Sequence, residues 1–351
     1  MKRVTSPNGM ALAKDHTTTT TIPRKGAEMV QHVEVDTIIL SWNRVPETID
    51  AINSALAQKD VLQAIHVVDQ GTDPATLEEL RAHIAKFPNV HLKTLDSNIG
   101  VPAGRNMAAS MGTAPIIVAL DNDAVFSDEY TLRQVVSRMA SDKALGAIGF
   151  RILNYYTGED DRTSWGYSER DWPRRAQEFP TANYVGAGHA LRREAFEAAR
   201  KYEERLFFAW EELELGLKLL NLGYKIRYVG SISVRHKIAP EARVNWDTGR
   251  YYYTVRNRIY LYLKSGSYTE RVFQHAGGFF VRALPKGLWR ECLRGIFDAV
   301  KMYTTMPRDK ASRDLSRLKP DVLAYLDVIN HRASYTFWDR VRNAWRQGRA
   351  H

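Results

Sequence analysis

A chain of 351 residues, 44% hydrophobic and 26% charged, can bury a sizeable core and has the composition of a globular protein. Its single cysteine, Cys292, excludes an internal disulfide framework and a cysteine-rich zinc site, and no run reaches the ~18 apolar residues of a membrane span. The formal charge of +10 is lopsided: residues 241–351 hold 21 Lys or Arg against 10 Asp or Glu, so the tail asks for an anionic partner such as phospholipid, a lipid-linked phosphate or nucleic acid.

In chain order, residues 1–31 are polar and threonine-rich, and they predict a disordered leader. The threonine run 17–21 is polar where a secretory signal would be apolar. The short apolar run 37–40 predicts a strand covered on both faces. Helical spacing over 46–58 leads to a second strand over 64–68 that ends at Asp69. A helix over 74–87, a strand over 90–95 and a helix over 104–111 come next. A fourth strand over 115–120 runs straight into Asp121. This alternation predicts βαβ units and a parallel sheet, with ligands beyond the carboxyl ends of its strands, where Asp69 and Asp121 stand.

From Leu145 the pattern changes. A strand over 147–150 precedes a loop-like stretch, 154–182, rich in Tyr, Trp, Arg and Asp. A strand over 184–191, a helix over 193–202 and a firm helix over 211–222 capped by Gly223 follow. Strands over 224–229 and 232–236 end at His236, and the chain after 248 reads as mainly helical. Cys292 sits in a helical run and reads as a buried, inert thiol.

Chemistry concentrates at five places. In Asp121-Asn122-Asp123, two carboxylates straight after a buried strand can reach one cation, or one cation and a ribose hydroxyl; Mn²⁺ and Mg²⁺ take such oxygen ligands together with substrate phosphates. Asp69, before Gln70-Gly71-Thr72, either accepts from a nucleobase imide or closes an Asx-type turn. The glycine-punctuated stretch from Asn98 to Asn106 opens a helix, and its backbone amides with Arg105 suit a diphosphate, although the glycine spacing is neither a P-loop nor a dinucleotide fingerprint. Phe207-Phe208-Ala209-Trp210 sets aromatics against Glu211, Glu212 and Glu214; the helix dipole accounts for acids there, and so does a base beside a sugar-stacking surface. His236, at a strand end, is either structural or a metal ligand.

As an ordered set over roughly residues 34–264, these segments resemble family 2 glycosyltransferases of the GT-A fold. Asp121-Asn122-Asp123 is similar to the DXD motif, and the segment 38–44 to the first strand and turn. Val67-Val68-Asp69-Gln70-Gly71-Thr72 resembles the V-V-D-N-G-S segment, with Gln70 for Asn. Residues 98–106 are similar to the N-x-G-x-x-x-G-x-N loop, and 186–193 to the strand before the acceptor site. Residues 211–215 resemble the E-D-x-D-L element, with Lys218 where Arg is common. Residues 252–264, with Arg256-Asn257, resemble a segment of bacterial surface-polysaccharide and rhamnosyl-type members.

The resemblance implies an α/β, Rossmann-like, mostly parallel sheet flanked by helices. Residues 32–123 would form a nucleotide-sugar half, 124–264 an acceptor half, and 265–351 a helical basic extension. It further implies inverting transfer from a UDP- or dTDP-type sugar to a hydroxyl of a glycan or lipid-linked acceptor, with Mn²⁺ or Mg²⁺. Carried over residue by residue, Ser41, Asn43, Arg44 and Asp69 would meet the base. Asn98, Gly100, Gly104 and Arg105 would meet the diphosphate, and Asp121 and Asn122 the ribose. Asp123, Asp121 and His236 would hold the metal. Trp210, Gly188, His189 and Trp165 would frame the acceptor. Glu212 would be the base; because it is one methylene longer than the usual Asp, Glu211 and Glu214 stay open as alternatives.

The tail offers either an amphipathic helix on an anionic membrane or a helical pair packed on the catalytic domain or in a homo-oligomer. The expected place is the cytoplasm, free or peripheral on the inner face of the membrane. A sugar-nucleotide nucleotidyltransferase would carry a glycine-rich basic signature where Ser41-Trp42-Asn43-Arg44 stands, and no recognised motif supports nucleic-acid binding.

Overall fold

The computed structural model describes residues 34–237, 247–266 and 269–329. The expected leader over 1–31 and the last part of the tail lie outside them. Nine strands form one sheet in the order β3-β2-β1-β4-β8-β6-β9-β5, with β7 paired to β9. These are β1 (Val35–Ser41), β2 (Gln63–Gln70), β3 (Val90–Leu95), β4 (Ile116–Asp121), β5 (Ala124–Phe126), β6 (Leu145–Asn154), β7 (Glu178–Pro180), β8 (Gly188–Arg192) and β9 (Lys225–His236).

The first half of the sheet is parallel, as the alternation predicts: β1 pairs with β2 and β4, and β2 with β3. Beyond β4, strand β8 is antiparallel to both β4 and β6, while β6 and β9 run parallel. The register aligns the ends of the parallel strands. Ser41 sits opposite Asp69, and Leu40 opposite Asp121, so three polar ends share one edge of the sheet.

Two apolar layers cover the sheet. On one face, α1 (Val45–Leu56), α2 (Pro74–Ile84) and α4 (Thr131–Ser141) pack Ile52, Leu80 and Val135 against strand residues such as Ile39 and Val67. On the other, α3 (Val101–Ser110), α5 (Arg193–Ala198) and α6 (Glu211–Asn221) pack Ala108, Phe196 and Leu219 against Ile38 and Ile117. The runs 37–40 and 116–120 are buried on both sides, which is why they lack a period of two.

A third cluster joins α7 (Asp247–Ser265), α8 (Thr269–Ala283) and α9 (Trp289–Thr304) through Val255, Ile259, Phe279, Ala283, Cys292 and Ala299. Cys292 is fully buried there, and burial raises its thiol to about 11. After α10 (Lys310–Ser316), α11 (Pro320–Ile329) returns to the sheet, and Val322 and Leu326 join Leu318, just before it, in the α3–α5–α6 layer.

Several expected boundaries differ. The helix expected from Gly104 begins at Val101, because Pro102 fits a first turn that lacks amide acceptors. The strand expected from 184 begins at Gly188. The strands expected over 224–229 and 232–236 are one strand, β9, whose pairing with β6 shifts register between Phe150 and Arg151. The stretch 154–182 contains β7 and two short 3₁₀ helices, over Arg162–Ser164 and Glu169–Arg174.

Candidate active site

The cation-facing part of the site follows from strand pairing. Ala124 of β5 lies opposite His236 of β9, and the Lys237 amide donates to the Asp123 carbonyl at 2.7 Å. That pairing brings His236 Nε2 to 3.2 Å from Asp123 Oδ1. Two ligand atoms at right angles on a cation with ~2.1 Å bonds are about 3 Å apart, so this oxygen and nitrogen fit adjacent positions of one shell. Among the described residues no three His, Cys, Asp or Glu side chains converge on one point, so the rest of a shell would come from phosphate oxygens and water.

Without a cation, two positive groups answer Asp123. Arg44 Nη1 bonds its Oδ2, and His236 faces its Oδ1. Burial opposes the charge of His236, but the carboxylates of Asp123 and Asp161 outweigh it and raise the imidazole to about 10. Burial likewise works against Asp123, and His236 and Arg44 bring its net shift below the ordinary range. A cation bound through Nε2 must displace the proton there.

Asp161 is a participant that the sequence reading missed. Its Oδ2 lies 3.8 Å from His236 Nδ1, and Ser164 Oγ lies 3.4 Å from the same nitrogen. The amide and hydroxyl of Thr163 both donate to Asp161 Oδ1 and fix the carboxylate. Burial opposes its charge, yet His236, Ser164 and Thr163 hold it well below the usual carboxylate range. A carboxylate behind a ligand histidine sets its tautomer and aim. Asp161 lies within a loop-like stretch, so nothing local marked it.

The proton-accepting side opens α6. Arg105, on α3, is buried and bonds Asp121 Oδ1 at 3.0 Å and Glu212 Oε1 at 3.0 Å, with Glu211 Oε1 at 3.5 Å and the Gly186 carbonyl at 3.1 Å. The expected diphosphate contact by Arg105 is therefore corrected, because its guanidinium is already occupied by carboxylates. Gly186 is needed for this approach, since a Cβ there would fall 2.7 Å from Glu212 Oε1.

The three acids of the helix start separate by environment. Glu214 is buried with Lys218 at 2.9 Å and Lys264 at 2.6 Å, so it is a structural ion pair and no candidate base. Glu211 is 3% exposed; burial first, and the charge of Glu212 second, raise its carboxyl well above the ordinary range. Enclosed in this way, Glu211 has no open edge toward an acceptor hydroxyl and is the poorer candidate base. Glu212 alone keeps an open edge, at 14% side-chain exposure.

The turn before α6 is strained. Phe207, Ala209 and Trp210 all have positive φ, and the Phe208 amide bonds the Leu206 carbonyl two residues back, a γ-turn about Phe207. α7 holds it. The Asn257 amide lies within 2.7–2.9 Å of the carbonyls of Leu206, Phe208 and Ala209, and Arg256 binds those of Arg205 and Leu206. Trp210 Nε1 donates to the Thr254 carbonyl, and Arg258 lies over its ring at 4.4 Å, so Trp210 is half-buried at the mouth of the site.

Other expected residues take supporting places. Asp69 is fully buried and accepts from Gly71 N, Thr72 N and the Thr72 hydroxyl, and Thr72 in turn accepts from Asn43 N. It closes an Asx-type turn rather than presenting itself to a base. Ser41 is buried as well, 3.4 Å from the Thr48 hydroxyl. Asn122 reaches that same hydroxyl. Asn98 accepts from Gly100 N, while Gly100, at φ +90°, packs so close to Phe207 that a Cβ would sit 2.5 Å from its carbonyl oxygen. Gly104 is buried inside α3, so neither glycine is open to a diphosphate. His189 is fully buried, bonded to the Tyr202 hydroxyl at 2.7 Å, and Gly188 is buried beside it on β8; both are removed from acceptor contact. Trp165 packs edge-on against Tyr167, Trp172 and Tyr228, holding the 154–182 segment together instead of facing an acceptor.

Residues 36–200 match the family described as Glycosyl transferase family 2. An uncharacterized protein of Haemophilus influenzae is 32% identical over 98 residues, 27% of this chain and 51% of that protein. An O-antigen chain rhamnosyltransferase of Salmonella anatum is 23% identical over 221 residues, 59% of this chain and 65% of that one. The chain thus spans between about half and two thirds of these relatives' lengths. A mannosyltransferase from Pyrobaculum calidifontis, solved with GDP-mannose and Mn²⁺, superimposes with a TM-score of 0.55 at 16% identity, covering 91% of this chain and 86% of that one; such likeness speaks for a shared fold.

Proposed function

Because the chain belongs to glycosyl transferase family 2, we propose that it is an inverting, cation-dependent transferase. It moves a sugar from a UDP- or dTDP-type donor to a hydroxyl of a glycan or lipid-linked acceptor in bacterial polysaccharide synthesis. One observation carries this reading: the Arg105 guanidinium joins Asp121, at the cation strand, to Glu212, at the start of α6, so the two carboxylates stand within the span of one guanidinium. The solved mannosyltransferase with its nucleotide sugar and Mn²⁺ supports a comparable donor here, and the rhamnosyltransferase relative supports a polysaccharide acceptor.

Asp123 and His236 would hold a Mn²⁺ or Mg²⁺, which when bound offsets the charge developing on the departing diphosphate. Asn43 is exposed, and Arg44, Asp121 and Asn122 are partly exposed while bonded to Asp123, Arg105 and Thr48; these four would meet the nucleoside side. Glu212 takes the proton of the acceptor hydroxyl as its oxygen bonds to the anomeric carbon. The bond from that carbon to the diphosphate oxygen breaks, and its electron pair leaves with the nucleoside diphosphate. Attack opposite the leaving group inverts the centre. Arg105, 3.0 Å from Glu212 Oε1, aims that carboxylate.

Glu212→Gln should lower turnover about 10³-fold while Mn²⁺-dependent donor binding persists, as measured by single-turnover transfer and by calorimetry. Turnover near the wild-type rate would remove Glu212 from the base role. Asp123→Ala should abolish Mn²⁺ stimulation of donor binding; stimulation that survives it places the cation elsewhere.

A further inference from the structure

Among the described residues, seven of the fourteen large exposed hydrophobic side chains fall between 273 and 303, on the α8–α9 hairpin. Isolated exposed apolar residues are ordinary, but a cluster on one element is not. On α9, Cys292, Gly295 and Ala299 turn inward against α7. At about 100° per residue, Trp289, Leu293, Phe297 and Val300 form a continuous band beside that packed face. All four are exposed, Phe297 at 70%. Across the turn Leu284 extends the band, and Phe273 of α8 is 84% exposed.

The far edge of the band is basic. Arg290, Arg294 and Lys301 follow the apolar positions at roughly 100–140° around the helix. Residues 272–308 contain six Lys or Arg and two Asp or Glu. One of those acids, Asp298, is engaged by the Tyr252 hydroxyl and lies 3.8 Å from Arg294 Nε, whose side chain stays 76% exposed.

We propose that this face of α9, with Leu284, is a docking surface for an anionic phospholipid bilayer. A helix lying in the interface plane puts such a band at the acyl boundary and its basic edge on the phosphates. No helix among the described residues is long and apolar enough to cross a membrane, so the contact is peripheral. A second copy of the chain is the poorer occupant, because a two-fold contact would set Arg290, Arg294 and Lys301 against their own copies.

The surface is wired to the site. α9 packs on α7, and α7 holds the strained turn ahead of Glu212 through Arg256 and Asn257. Resting on the transferase reading above, docking would bring the acceptor side of the site to a lipid-linked substrate.

The test is flotation of the full chain with phosphatidylcholine vesicles, with and without phosphatidylglycerol. Flotation should require phosphatidylglycerol and weaken with salt. Leu293→Glu and Phe297→Glu should each lower the bound fraction about tenfold with unchanged melting temperature, and the pair Arg290→Gln and Arg294→Gln should erase the lipid preference. Absence of flotation, equal binding to both vesicles, or full binding by Phe297→Glu would overturn the proposal. So would a concentration-dependent dimer that Phe297→Glu dissociates, since a second copy would then own the face. Mn²⁺-dependent nucleotide-sugar binding on the same preparation separates the two readings: flotation without donor binding sinks the transferase, and donor binding without flotation sinks the docking surface.

Discussion

At the scale of single residues, the site depends on which charges are already answered inside the protein. Arg105 is committed to three carboxylates, so it organises the site instead of meeting the donor. Glu211 and Glu214 are enclosed, the first at 3% exposure and the second between two lysines, which leaves Glu212 as the acid with an open edge. In the proposed reading Asp161, whose Oδ2 lies 3.8 Å from His236 Nδ1, acts through that histidine as a positioning residue. Asp161→Asn should lower Mn²⁺ affinity by about 10–100-fold with the melting temperature preserved, read by calorimetry or by the Mn²⁺ paramagnetic resonance signal. Equal affinity in variant and wild type would reduce Asp161 to a loop cap for Thr163.

At the scale of elements, the decisive contact is between α6 and α7. Lys264 of α7 bonds Glu214 at 2.6 Å and Glu203 at 3.0 Å, and Arg205 also bonds Glu203. Burial works against the charge of Glu203, but Arg205 and Lys264 hold its carboxyl down to about 2 from the ordinary 4.5. A carboxyl lowered in the folded state adds stability above its unfolded value, and that stability is lost as pH falls through the folded value. Between about pH 4.5 and pH 2 the network should therefore give up on the order of 3 kcal/mol. Denaturant unfolding across that range should show a shallower decline for Glu203→Gln than for the native chain, and parallel declines would mean the group contributes nothing. The same contact keeps the γ-turn at Phe207 in place, since the Asn257 amide lies against the carbonyls of Leu206, Phe208 and Ala209.

At the scale of the molecule, the tail is not a simple appendage. α7 to α9 build their own cluster on Leu206, and α11 crosses back to the sheet. Leu326, 4% exposed, packs with Leu215 and Leu219 in the α6 layer. Leu326→Ala should cost about 2–5 kcal/mol, measured as a shift of the whole unfolding midpoint. A separate early transition with the main midpoint unmoved would instead make the last helix an independent unit.

What the sequence determined by itself is the local periodic part. Runs such as 116–120 are apolar without alternation because both faces of a central strand are covered, and that alone led to a parallel first half with Asp69 and Asp121 at strand ends. The ordered motifs around Asp123 and Glu212 were legible for the same reason, each being short and fixed to an element boundary. The tertiary structure decided everything that depends on partners distant in the chain. Asp69 and Ser41 read as ligands until the turn and the packing enclosed them. His189 was expected at the acceptor, but folding buries it against the Tyr202 hydroxyl. Asp161 and Asn257 carry no local signal, because their meaning lies in His236 and in the carbonyls of 206–209, brought close only by β5–β9 pairing and by the packing of α7. Burial and charge pairing are properties of neighbours in space, and one chain position states only which chemistry it could bring to them.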